Sequence, residues 1–73
     1  MDEWLTRQIK MLEERLAEGE DLIREQRIRI EALERLGVDT TEGRNFFAIL
    51  KQTQDDLYER HRAYLSCELD RPG

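Results

Sequence analysis

Cysteine, proline and histidine each occur once in these 73 residues, and each scarcity narrows what the chain can be. Cys67 alone cannot make an internal disulfide framework, and one thiol suits a reducing compartment. It is expected as a partly buried small side chain rather than as a reactive group. No run of about 18 apolar residues occurs and no basic-then-apolar leader is present, so neither membrane spanning nor secretion is expected. Glycine is held to four positions, and Gly37 and Gly43 flank a turn without the spacing or the lysine of a phosphate-binding loop, which excludes nucleotide hydrolysis. Basic residues are outnumbered, 12 Lys and Arg against 17 Asp and Glu. A net charge of -5 argues against a phosphate backbone as the main partner. Arg24, Arg27 and Arg29 are interleaved with Glu20, Asp21, Glu25 and Glu31, the pattern of a solvated helix face. A chain this short buries a small fraction of its surface and has room for one thin core.

What the chain has in quantity is charge, 40% of residues, broken at regular intervals by Leu and Ile. Leu5, Ile9, Leu12, Leu16, Gly19, Ile23, Gln26, Ile30 and Leu33 follow one another at alternating steps of four and three. That alternation keeps one stripe facing a partner helix. The intervening residues are good helix formers, and Glu3/Arg7, Glu20/Arg24, Glu25/Arg29 and Glu31/Arg35 stand in the favourable acid-first order one turn apart. A helix over about residues 2–36 follows. Two seam positions are weak. Gly19 is either a tolerated helix glycine or a point of close approach by a second backbone or a large aromatic ring. Gln26 either fixes register or sits at the edge of the interface.

Gly37 is placed to end this helix in a left-handed conformation, with Val38 where a Schellman motif sets an apolar contact on Leu33. Asp39 then reads as the N-cap of a second helix, with Glu42 completing a capping-box arrangement. A turn of only residues 37–39 makes the two helices antiparallel neighbours. The second helix is expected over about residues 40–68, with Phe46, Leu50, Thr53, Leu57, His61 and Tyr64 on one face and Phe47, Ile49 and Leu65 widening it. Residues 69–73 form a short tail ending in Arg71, Pro72 and Gly73. Because the first helix is the longer, Met1, Trp4 and Leu5 are expected to project beyond the second.

No chemistry-bearing constellation can be assembled. His61 and Cys67 fall on opposite sides of one helix, so a nucleophile and its base do not meet within the chain. His61 is expected as an interfacial ring hydrogen-bonded across the hairpin. Glu13/Glu14, Asp55/Asp56 and Glu59 beside His61 lack the Glu-x-x-His repeat of a metal-binding bundle, so no metal and no cofactor are expected. The polar faces are mixed to acidic, not the basic faces of a membrane-surface helix.

Leu16, Gly19, Ile23 and Gln26, then Leu33, the run Gly37-Val38-Asp39-Thr40, the pair Phe46-Phe47, Thr53, His61-Arg62, Leu65 and Glu68-Leu69 together carry a resemblance. Over roughly Arg15 to Leu69 the chain resembles a group of short, mostly uncharacterised proteobacterial helical-hairpin proteins with a Gly-x-Asp-Thr turn and a His-Arg near the end of the second helix. It departs from that pattern at the doublet, where Leu is commoner than Phe, and at Arg15, Leu22 and Tyr58, where further histidines occur in the group. The resemblance implies a bacterial cytosolic hairpin and supplies no mechanism.

The expected fold is therefore all-α: an antiparallel two-helix, coiled-coil-like hairpin that dimerises into a four-helix bundle. Trp4, Met11, Leu22, Ile28, Leu36 and Ile49 lie off the narrow seam, and pairing two hairpins would bury them. Leu12, Leu16, Gly19, Ile23, Gln26, Ile30, Leu33, Phe46, Leu50, Leu57, His61 and Tyr64 are the expected structural and interface residues, and Gly37, Val38, Asp39 and Glu42 the turn and caps. The function expected is a non-catalytic, cytoplasmic protein-protein interaction or assembly module. It would be a homo-oligomer or bind a protein partner, and engage neither nucleic acid nor membrane. The competing expectation is an accessory subunit docking on a larger complex or enzyme.

Overall fold

The computed structural model describes residues 2–69; Met1 and residues 70–73 of the expected tail lie outside the described residues, while Leu69, expected to open that tail, ends the second helix. Two helices, α1 (Glu3–Arg35) and α2 (Thr41–Leu69), lie antiparallel in a rod of 59 × 15 × 13 Å. The chain is all-helical, a hairpin of two helices packed along their length.

Each terminus of α1 has a local cause. The Asp2 carboxylate accepts from the Leu5 backbone N–H at 3.2 Å and the Asp2 carbonyl from that of Thr6, so residue 2 caps the helix rather than beginning it. At the other end Gly37 adopts φ 75°, the Val38 N–H reaches back to the Leu33 carbonyl, and the Gly37 N–H to that of Glu34. Those two bonds make a Schellman motif, available because glycine enters the left-handed region without a Cβ clash. α2 begins one residue later than expected, since Thr40 supplies the first accepting carbonyl, to Arg44. Asp39 caps from one position further out, its Oδ1 accepting from both the N–H and the hydroxyl of Thr41. Glu42 lies in the first turn, where a negative charge suits the helix dipole.

The α1 seam occupies the positions read from sequence: Leu5, Leu12, Leu16 and Ile30 are buried, and Ile9, Gly19, Ile23, Gln26 and Leu33 are half-buried. The α2 face is rotated from the expected one. Thr40, Gly43, Phe47, Leu50, Gln54, Leu57, His61 and Tyr64 point inward, while Phe46 and Thr53 are exposed. Phe46 is thus corrected from seam to flank, at 46% exposure. The physical reason is phase: the inward set alternates steps of three and four without a break, which a two-helix seam requires, whereas a stripe through Phe46 and Thr53 takes two successive steps of four. Gln54 holds the right phase and is polar. Trp4 and Leu5 do not project past α2, because α2 runs to Leu69. Leu5 is buried, and the Trp4 and Tyr64 rings meet edge-on with centroids 6.0 Å apart.

Candidate functional site

Between Leu16 and Ile30 the seam holds no buried aliphatic side chain on either helix. Two glutamines occupy this waist, each turned onto the other helix. Gln54 Nε2 donates to the Leu16 carbonyl at 2.8 Å and to Glu20 Oε1 at 3.2 Å, and Gln26 Nε2 donates to the Gly43 carbonyl at 3.3 Å. Glycine makes the first approach possible, whereas a Cβ would fit at the second. A Cβ on Gly19 would stand 2.0 Å from Gln54 Oε1, and one on Gly43 would meet Ile30 and the Gln26 amide at about van der Waals distance. The close approach at Gly19 is therefore made by a side-chain amide, not by an aromatic ring or a second backbone. Buried polar layers of this kind disfavour other registers, in which the amides would lose their partners.

The hairpin has two long flanks, one on each side of the seam, and they differ. On one, Glu13, Glu20, Arg27 and Glu34 recur every seven residues along α1 and meet α2 partners. Arg44 pairs with Glu34, the Tyr58 hydroxyl donates to Glu20 Oε1 at 2.6 Å, and Glu13 Oε2 lies 3.4 Å from His61 Nε2. Arg27 and Lys51 each stand 5.8 Å from the centroid of the Phe47 ring. Arg24, expected to pair with Glu20, bonds Asp21 instead at 3.3 Å, leaving Glu20 for the inter-helix contacts. The Tyr58 hydroxyl, and after it the Gln54 amide, hold the Glu20 carboxyl below its ordinary range, and the same bond pushes the Tyr58 phenol up. Both groups move away from neutrality, so this pair is a hydrogen bond and not a poised acid–base couple.

The expected hydrogen bond of His61 is not formed. Its Nε2 is buried without a hydrogen-bond partner, because the Glu13 carboxylate lies within ion-pair reach but outside hydrogen-bonding alignment. Cys67, expected partly buried, is exposed. Near the turn, Ile30, Phe47 and the paired Glu34 and Arg44 line an open groove of about 330 Å³ on the polar flank. Among the described residues no grouping of His, Cys, Asp and Glu is placed to hold a metal ion. No helix among them is long and apolar enough to cross a membrane.

The second flank carries most of the exposed apolar side chains, interleaved with charged ones. Leu22 and Leu36 recur along α1 at the same seven-residue spacing as Arg15 and Arg29, and Trp4 and Met11 lie one step further round. Phe46 and Ile49 occupy the matching side of α2, because in an antiparallel pair equivalent seam edges of the two helices share one side. The cross-helix pairs Glu34/Arg44 and Glu20/Tyr58 show that rule on the other flank. Leu22 is 51% exposed, Ile49 65% and Leu36 76%. Ile28 alone of the large exposed aliphatic side chains of α1 points directly away from α2. The sequence marks Trp4, Met11, Leu22, Leu36 and Ile49 as lying off the seam, and the fold brings them together on one side. No protein family, curated protein or solved structure matches this chain.

Proposed function

We propose that this protein is a non-catalytic interaction and assembly module that pairs with a second copy of itself, two hairpins forming a four-helix bundle. The observation that carries this reading is the asymmetry of the flanks: the polar side is closed by bonds within the hairpin, while the other holds Trp4, Met11, Leu22, Leu36, Phe46 and Ile49 in water. Single exposed apolar residues are ordinary, but several gathered on one side of a thin rod mark an interface. A lone hairpin also buries little, and doubling it supplies the missing layer. The reading has no nucleic-acid partner, given a net charge of -5, and no membrane partner. It places the chain in the cytoplasm, where one free thiol is unexceptional.

The second reading is an accessory subunit that docks on a larger protein, and Ile28 is the observation in its favour. At 60% exposure on the outer face of α1, it would stay uncovered in a pair of hairpins joined through the apolar flank. Light scattering joined to circular dichroism melts over a concentration series separates the two. Self-assembly predicts a helical dimer whose melting temperature rises with concentration. A monomer with a weak, concentration-independent transition would sink it in favour of the accessory role.

A further inference from the structure

Successive levels of the polar flank can be compared directly. Arg27 lies midway along α1 between Glu20 and Glu34, and Lys51 lies midway along α2 between Arg44 and Tyr58. Glu34 meets Arg44 across the flank and Glu20 meets Tyr58, so the same antiparallel spacing sets Arg27 opposite Lys51. The levels on either side match an acid with a donor. The level between them sets two cations against each other, in a chain of net charge -5. Neither cation has a carboxylate within ion-pair distance among the described residues. Glu20 and Glu34 are engaged by Tyr58 and Arg44, and Glu31 and Asp55 stand one turn beyond the cations on their own helices, the weaker order for such pairs. What Arg27 and Lys51 share is the Phe47 ring, its centroid 5.8 Å from each.

That ring and Ile30 are the apolar part of the open groove of about 330 Å³ near the turn. The charges lining the groove balance, Arg27 and Arg44 against Glu31 and Glu34, and Lys51 beside Phe47 adds one positive charge. We propose that this groove binds a small organic monoanion, a carboxylate carried on an aryl or alkyl body. Arg27 and Lys51 hold the carboxylate through charge-assisted hydrogen bonds, and Ile30 and Phe47 take the body. The single charge of a carboxylate equals the local excess. A phosphate group, close to doubly charged, overshoots that excess and is repelled by Glu31 and Glu34. The groove stands at the small end of ligand-sized clefts, which suits a body of one ring or a short alkyl chain. Because it lies on the polar flank, the site is independent of what covers the other one.

Amide chemical-shift titration of the full chain with phenylacetate tests the site, with acetate, 2-phenylethanol and inorganic phosphate as comparison probes. Phenylacetate should move the backbone amides around Arg27, Arg44 and Lys51 saturably. Each comparison probe lacks either the apolar body or the carboxylate charge and should bind at least about tenfold more weakly. Lys51→Glu turns the like-charged level into an ion pair with Arg27. It should abolish the phenylacetate shifts while leaving the thermal melt unchanged or raised, which separates loss of the site from loss of the fold. Lys51→Gln removes the charge without supplying an acid, and should weaken phenylacetate about tenfold. Shifts that never saturate, acetate or phosphate binding as tightly as phenylacetate, or phenylacetate binding unchanged in the two Lys51 variants would each overturn the proposal.

Discussion

Gln54 occupies the volume that a side chain on Gly19 would need: a Cβ there would lie 2.0 Å from Gln54 Oε1 and 2.8 Å from its Cδ. The glycine and the glutamine are therefore one feature, set 35 positions apart in sequence and joined by the hydrogen bond from Gln54 to the Leu16 carbonyl. Gly19→Ala should raise helix propensity by about 1 kcal/mol and yet destabilise the protein, because it expels a buried amide at a cost of about 1–3 kcal/mol. In a Gln54→Ala background the same substitution should become stabilising by about 0.5–1 kcal/mol. Urea titrations of the four chains measure the coupling. Additive effects would mean that the amide has room to step aside.

Gly37→Ala tests the turn. With φ at 75° and nothing within 4 Å of an added Cβ, the cost is purely conformational, about 1–2 kcal/mol. Gly37→Asn should recover part of it, since asparagine tolerates that region. Equal thermal stability of the Ala and Gly chains would show that the left-handed residue is not what stops α1.

Much of this hairpin can be read from the residues, and what cannot be read has a common origin. Leu5, Leu12, Leu16 and Ile30 announce the α1 seam because their spacing and their hydrophobicity agree, and the glycine of the turn announces its own φ. On α2 the two signals part: the phase runs through Thr40, Gly43 and Gln54, which are small or polar, while the most apolar stripe passes through Phe46. At Phe46 and Thr53 hydrophobicity thus selects positions one residue out, while Leu50, Leu57, His61 and Tyr64 lie where it places them. The partner of Gly19 was equally hidden, since a glycine shows that room is left but not what enters it. Likewise Trp4, Met11, Leu22 and Leu36 share one side by spacing alone, but setting Phe46 and Ile49 beside them depends on α2 taking the phase of Gln54.

Phe46 and Phe47 should therefore behave differently despite being neighbours. Phe47 lies half-buried under Arg27 and Lys51, and Phe47→Ala should lower stability by about 2–4 kcal/mol at any protein concentration. Phe46→Ala should change the melt little at high dilution, but flatten its concentration dependence by trimming the apolar flank. Melts over a hundredfold range of concentration distinguish the two. An equal, concentration-independent loss for both would place Phe46 in the core.

Stability should fall at both ends of the pH scale for a shared reason. Glu20 accepts from Tyr58 and Gln54 and titrates below its ordinary 4.5, and Asp39 accepts from Thr41 and titrates below its ordinary 3.8. A depressed carboxyl contributes stability that is complete above its unfolded value and is lost as pH falls through the folded one. The acid loss should thus set in below about pH 4.5. Tyr58 titrates above its ordinary 10.0, so its contribution is complete below that value and is lost as pH rises through the folded one. Tyr58→Phe should remove the alkaline loss at this site and blunt the acid one, because Glu20 then loses its principal donor. Chemical denaturation at pH 3, 7 and about 10.5 of wild type and Tyr58→Phe reads both. An unchanged alkaline limb in Tyr58→Phe would show that another group carries it.

Among the described residues, His61 carries the one fully buried side-chain polar atom left without a hydrogen-bond partner, its Nε2. Its side chain is 18% exposed and its Nε2 is buried without a hydrogen-bond partner, so the ring occupies a seam position as a shape more than as a polar group. The Glu13 carboxylate 3.4 Å away is itself 60% exposed, and an exposed carboxylate is well solvated already. His61→Leu keeps an apolar side chain at the position and discards the unpaired nitrogen, so it should stabilise the hairpin by about 1 kcal/mol. Glu13→Gln should leave stability within about 0.5 kcal/mol of the parent. Thermal melts at pH 7.5 compare the three chains. If both substitutions destabilise, and by similar amounts, the imidazole and the carboxylate act as a coupled pair and Glu13 is part of what holds α1 on α2.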